Sequence, residues 1–154
     1  MLKGFDNLLT VLVASVVLTG LVLYLRPETQ PVDTAPARAV AIVHRAQALI
    51  DDNELLIALQ QFDREADFNS GGVYLFVLDA EGQNIYHAAD RTLVGSDFAK
   101  MVDLDARRFG EKLITDTAQS GVWQSYRTRA GWHITYARKS RNGQIIAAAL
   151  SAPN

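Results

Sequence analysis

Apolar and polar positions divide this chain into an uninterrupted apolar run, a proline-punctuated gap and a long stretch of periodic pattern. From Leu8 to Leu25 there is no charged residue. Roughly 20 apolar residues at ~1.5 Å rise span a bilayer core, so this run, with Phe5 and Tyr24 near its ends, predicts one transmembrane helix. A secretory signal has a shorter apolar region with a small-residue cleavage site close behind. Ala-x-Ala patterns such as Ala37 to Ala39 lie far downstream, which favours an uncleaved anchor. Lys3 and the amino terminus slightly outweigh Arg26, and that bias puts the amino terminus in the cytoplasm and the remainder outside. Pro27, Pro31 and Pro36, separated by polar residues, then form an extended linker, because proline lacks the amide a helix interior needs.

Past Pro36, Val40, Val43, Gln47 and Ile50 recur at helical spacing, and Leu55, Leu56, Leu59 and Phe62 repeat the pattern between Glu54 and Glu65. Two helices lying on a sheet are expected. At Gly71-Gly72, read as a helix-to-strand breaker, the period changes to β-branched and aromatic runs. Strands are predicted at Val73–Leu78 and Gln83 to Ala88, joined by a turn at Asp79 to Gly82. Leu93 to Asp105 is loop-like, and Phe109, Leu113, Ile114 and Thr117 predict a third helix ending near Gly121. Three more strands follow at Val122–Thr128, Trp132 to Lys139 and Gln144 to Leu150, the last two joined through Asn142-Gly143. The fold class is therefore α+β: a five-stranded antiparallel sheet with helices mostly on one face, preceded by one transmembrane helix. Residues 1–26 form the anchor, 27–36 the linker and 37–154 a single domain.

Charge sharpens this picture. The net charge of −2 argues against general nucleic-acid binding. From Glu28 to Asp105 acidic residues outnumber basic ones 14 to 5, whereas from Arg107 onward basic residues lead 8 to 2. This basic half is either a solvated surface or, through Arg127, Arg129 and Arg138, a place to receive a small anion. The absence of cysteine fits an exported domain.

No catalytic constellation emerges. His44, His87 and His133 are too scattered for a recognised metal spacing, and no serine or threonine has a visible activating partner. Asp103 and Asp105 read as a capped loop rather than half of a cation site. The chain is not expected to be an enzyme or to carry a cofactor. Tyr74, His87, Trp123, Tyr126, His133 and Tyr136 are candidate ligand-binding residues, since aromatic bodies supply contact area and polar tips supply orientation. Strand parity forbids all six from sharing a face, because Trp123 and Tyr126 are three apart, as are His133 and Tyr136. A three-residue turn at Arg129 to Gly131 would group Tyr126 with Tyr136 and Arg138. A two-residue turn at Ala130-Gly131 would instead join Trp123 and Arg127 to Tyr136.

The stretches Val73-Tyr74-Leu75-Phe76-Val77-Leu78-Asp79 with Gly82 and His87, Leu93-Val94-Gly95-Ser96-Asp97-Phe98, Asp103-Leu104-Asp105 with Phe109, Gly121-Val122-Trp123-Gln124-Ser125-Tyr126, and Tyr136 occur in an order that resembles the single Cache domains of bacterial sensory proteins, of the sCache_2 type. The resemblance runs from Arg38 to about Leu150. It implies a PAS-like, extracytoplasmic domain whose sheet and overlying loops enclose a pocket for a small molecule, often a short carboxylate. Three departures accompany it: a short connection from Arg127 to Gly131, His133 where the family commonly has lysine, and Ala147-Ala148-Ala149-Leu150 in place of glycines and a tyrosine.

The functional expectation is a single-pass inner-membrane protein whose periplasmic domain binds or senses a small ligand, has no output domain of its own and acts through a partner protein. The alternative is a structural accessory subunit of a membrane protein complex with a degenerate pocket. Orientation is tested on the full chain. A carboxyl-terminal alkaline phosphatase fusion is expected to be active and a cytoplasmic fluorescent reporter at the same point dark; the reverse pattern would reject a domain outside the cytoplasm.

Overall fold

The computed structural model describes residues 34–129 and 131–151, so the expected span from Leu8 to Leu25 and most of the proline linker lie outside the described residues. Among the described residues no helix is long and apolar enough to cross a membrane.

Helix α1 (Ala35–Asp52) starts where the Thr34 side chain accepts from the Ala37 amide at 3.3 Å, with Pro36 in the first turn where its missing N–H costs nothing. The linker's last two residues thus already belong to the helix. Its buried stripe is Ala39, Ile42, Val43, Ala46 and Ile50. Val40 and Gln47, expected on that stripe, sit at its margins, and Gln47 Nε2 donates to the Lys139 carbonyl. Helix α2 (Leu55–Arg64) buries Ala58 and Phe62. Leu56, expected to face inward, is 66% exposed, because Phe62 fixes the rotation of this short helix by packing on Phe68 and Tyr86 at ring separations of 4.7 and 5.4 Å.

The sheet contains the five expected strands and one more. Strand β1 (Asn69–Ser70) pairs with β2 (Val73–Leu78) through a two-residue turn. Gly71 and Gly72 form that turn with φ of 58° and 75°. Two successive positive φ values are what such a hairpin requires, so this pair closes a hairpin rather than simply breaking a helix. Strand β3 (Asn84–His87) pairs with the other half of the same edge of β2, its turn held by the Asp79 carboxylate accepting from the Glu81 and Gln83 amides. Helix α3 (Phe109–Asp116) ends at Thr117, whose hydroxyl donates to the Leu113 carbonyl. Strands β4 (Val122–Thr128), β5 (Gly131–Lys139) and β6 (Ile145–Ser151) complete the order β1-β2-β6-β5-β4, all antiparallel, with β3 also on β2.

Each strand of the middle of the sheet is buried on both sides. One face carries Val73, Leu75, Val77, Tyr86, Tyr136, Ile146, Ala148 and Leu150 against α1 and α2. The other carries Phe76, Leu78, Tyr126, Ala137, Ile145, Ala147 and Ala149 beneath Phe98, Phe109 and Leu113. Helices on one side and the connection from β3 to α3 on the other give the sheet two different coverings, and only the second leaves polar side chains inside.

Both clusters close among the described residues, so a fragment beginning at Ala35 is expected to be soluble and to unfold in one cooperative step. Circular dichroism melting checks this. Aggregation without a transition would mean that a partner surface completes the core.

Candidate ligand-binding face

On the face away from α1, small residues form a floor and rings form a wall and roof. Strand β6 contributes Ala147 and Ala149 there, opposite Ala137 and Thr135 of β5, all fully buried. Rings arch over them. His87 stacks on Phe76 at 5.8 Å, Phe76 on Phe98 at 5.2 Å, and Phe98 meets Phe109 edge-on at 5.4 Å. Phe109 then stacks on Tyr126 at 4.1 Å and Tyr126 on His133 at 5.2 Å. Offset stacked and edge-on pairs at these separations are favourable beyond their buried area.

The six sequence-predicted residues divide four to two. Tyr74, His87, Tyr126 and His133 share this face. Trp123 and Tyr136 are opposite one another on the helix-covered face, 5.0 Å apart, and Tyr136 stacks on His44 at 6.3 Å. The cause is the register of the β4–β5 hairpin, in which Thr128 pairs with Gly131: this is one residue earlier than the two-residue alternative but keeps its parity, and the three-residue alternative is not formed. Tyr136 is moreover locked where it is: a Cβ on Gly121, itself at φ 92°, would lie 2.2 Å from the tyrosine hydroxyl.

The same parity removes Arg127 and Arg138 from the candidate face. Arg127 pairs with Asp105, Arg138 donates to the Gln119 carbonyl and lies against the His44 ring, and Arg129 is exposed in the turn. The expected grouping of Arg127, Arg129 and Arg138 around a small anion is therefore not formed on this face. Asp103 accepts from the Asp105 and Arg107 amides and from Arg107 Nε, as a capped loop does. Among the described residues no three histidine or acidic side chains come together to hold a metal.

Buried polar atoms without protein partners mark the site more sharply than the rings do. Thr135 Oγ1, His133 Nδ1 and Gln124 Oε1 are buried and make no hydrogen bond among the described residues. Asn84, 1% exposed on β3, leaves both side-chain atoms unpaired. Native interiors pair nearly all such groups, so each one calls for an explanation. Thr135 and Gln124 are directly opposed, and the adjacent pair is His133 and Tyr126, so these four form a compact block. The Tyr74 hydroxyl reaches that of Tyr126 across the floor, and burial raises the pKa of both phenols above the ordinary tyrosine value. Thr135 lies beside the Tyr126 hydroxyl without a hydrogen bond of good geometry. At the free edge of β4 a cavity of about 350 Å³ is bounded by Phe109 and Gln124 together with Asp103, Arg107, Lys112, Trp123 and Ser125.

The histidines are tuned towards neutrality. Burial lowers the His133 pKa, and its Nε2 lies 2.9 Å from the Thr128 hydroxyl. Burial also lowers that of His87, with Asp90 opposing and Arg91 adding to the shift; its Nδ1 accepts from the Asp90 amide, so the proton resides on Nε2.

The family model described as Single Cache domain 2 matches residues 38–138. The chain belongs to the single Cache domain family. Its Cache domain superimposes on a periplasmic sensor domain of a chemotaxis protein with a TM-score of 0.62 at 14% identity, covering 79% of this chain and 99% of the other. A methyl-accepting chemotaxis protein from Vibrio parahaemolyticus gives 0.59 at 14% identity, covering 78% and 90%. A Cache chemosensory domain described as recognising carboxylic acid gives 0.58 at 16% identity, covering 76% and 92%. At these identities the likeness is one of fold. No curated protein matches the chain at a significant level. The Cache fold accounts for the α+β architecture and the antiparallel sheet. Thr135, Asn84 and the site role of Gln124 escaped the sequence because they are polar only in name until a register places them inside; the parity of β4 and β5 would have found the first and last had the turn been known.

Stability should respond to the two buried histidines. Their folded pKa values lie below the ordinary value of about 6.5, so the unfolded chain takes up protons first and stability rises with pH across this interval. The melting temperature is expected to be flat from about pH 7 to 8 and to fall from about pH 6.5 to 5, ahead of carboxylate protonation nearer pH 4. His133→Gln should flatten part of that fall; an unchanged slope would mean that the ring is not held neutral by burial.

Proposed function

We propose that this chain is the small-ligand sensing module of a membrane-tethered assembly, with its Cache domain outside the cytoplasm and its output carried by a partner protein. The observation that supports it most is the block of buried, unpaired polar atoms, Gln124 Oε1, His133 Nδ1 and Thr135 Oγ1, at one end of an alanine floor. Leaving such groups unpaired costs roughly 1–3 kcal/mol each, a cost that a bound polar molecule removes. Membership of the Cache family, similarity to a domain described as a periplasmic sensor and the apolar run from Leu8 to Leu25 support the location and the sensory role. Similarity to a domain described as recognising carboxylic acid supports a small organic molecule as ligand. A partner is further supported by Leu56 and Ile57, 66% and 51% exposed on α2.

One observation favours the second reading, a structural accessory subunit of a membrane complex. The rings from Phe76 to His133 touch in sequence, and Tyr74 leans to Tyr126 across the floor, so the arch is closed. In the sensory reading those tyrosines part to admit ligand.

Thermal shift separates the two. A ligand at a hundred times its dissociation constant stabilises the folded state by about 2.7 kcal/mol, which for a domain of this size is an increase of roughly 10 °C. Tyr126→Phe is expected to reduce that rise while leaving the unliganded transition nearly unchanged. A screen of short carboxylates, amino acids, amides and amines that yields no rise, with the full chain recovered from mild detergent in a stable complex, would favour the accessory subunit.

A further inference from the structure

Building on the sensory reading, we propose that this face selects an uncharged, amide-bearing ligand and rejects carboxylates. Two independent features of the block formed by Gln124, Tyr126, His133 and Thr135 lead there.

The first is electrostatic. Two cations of the β4–β5 hairpin are directed elsewhere, Arg127 to Asp105 and Arg138 to Gln119 and His44, and Lys139 lies at the far end of β5 from Thr135 and His133. Arg107 and Lys112, which border the cavity outside Gln124, are held by Asp103 and Asp105 and by Asp116 respectively. Burial is the leading cause of the shifted pKa of Tyr74, Tyr126 and His133, and no arginine, lysine or carboxylate is among the causes. A carboxylate placed among these groups would lose its hydration with no counter-charge, which is far costlier than burying a neutral polar group. A protonated amine meets the same objection.

The second is the identity of the unpaired atoms. Gln124 Nε2 donates to the Phe109 carbonyl at 3.0 Å, and because that carbonyl can only accept, the amide cannot be turned round. Gln124 Oε1 is therefore the atom left over, and it is an acceptor. It needs a ligand N–H or O–H, which a carboxylate does not have. Thr135 can donate or accept, and His133 Nδ1 does either according to tautomer. A primary amide supplies both kinds of partner on one planar group.

The test uses isosteric series on the purified full chain in mild detergent: acetate, acetamide and ethylamine; benzoate, benzamide and benzylamine; nicotinate and nicotinamide. The expected result is that an amide raises the melting temperature while its matched carboxylate and amine do not. In Thr135→Val the amide should bind about tenfold more weakly, yet the unliganded domain should melt at the same or a higher temperature, because a buried unpaired hydroxyl has been removed. A carboxylate or amine that stabilises the domain as well as its matched amide overturns the proposed class and leaves the sensory reading intact. Absence of any shift across all the series overturns both. An amide shift that survives Thr135→Val at full strength overturns the site.

Discussion

The rest of this domain depends on the pairing of Val73–Leu78 with the strand beginning at Ile145, in which Val73 faces Leu150 and Leu78 faces Ile145. Both strands lie inside the sheet and are buried on both sides. Because side chains alternate, this single register assigns Ile146, Ala148 and Leu150 to the helices and Ala147 and Ala149 to the opposite face. A slip by one residue would put the alanines under α1 and the bulky residues under the arch, losing core on one side and the floor on the other.

The two faces are built by different physics. Under α1 and α2 the contacts are apolar, with Ala39, Ala46 and Ala148 letting helix and sheet approach closely. On the other face, aromatic stacking carries the packing and polar groups are mixed into it: Tyr74, Asn84, His87, Gln124, Tyr126, His133 and Thr135. An apolar side chain at Thr135 would stabilise the fold more than an unpaired hydroxyl does. That the chain instead buries unpaired oxygen and nitrogen there is a local cost to stability that the proposed ligand would offset.

Charge is sorted just as strongly. The basic excess from Arg107 onward does not converge on the polar face, because six of its eight cations meet a carboxylate or carbonyl elsewhere: Arg107 with Asp103, Arg108 with Glu111, Lys112 with Asp116, Arg127 with Asp105, Arg138 with Gln119, and Arg141 with Asp51 and Asp52. Most of these pairs are exposed and each adds little stability. Their larger effect is to keep these charges away from the arch, whose polar groups are then histidines, phenols, an amide and a hydroxyl.

The sequence alone determined the elements and their order. Helical spacing identified α1, α2 and α3, alternating β-branched and aromatic runs identified five of the strands, and the motif series from Val73 to Tyr136 pointed to the Cache family. These are local properties, legible because hydrophobic period and turn chemistry act over a few residues. It also showed that Trp123 and Tyr126 must diverge. Which of them joins Tyr74 and His87 was left to tertiary structure, because one residue more or less in the turn after Thr128 inverts every side chain of β5, and turn lengths of two and three are both compatible with Arg129-Ala130-Gly131. The exposure of Leu56, the unpaired state of Thr135 and Gln124, and the dispersal of Arg127 and Arg138 away from the face share that origin. Each depends on what stands across a strand or a helix from it, and that is fixed by register and packing between distant segments rather than by the residues on either side.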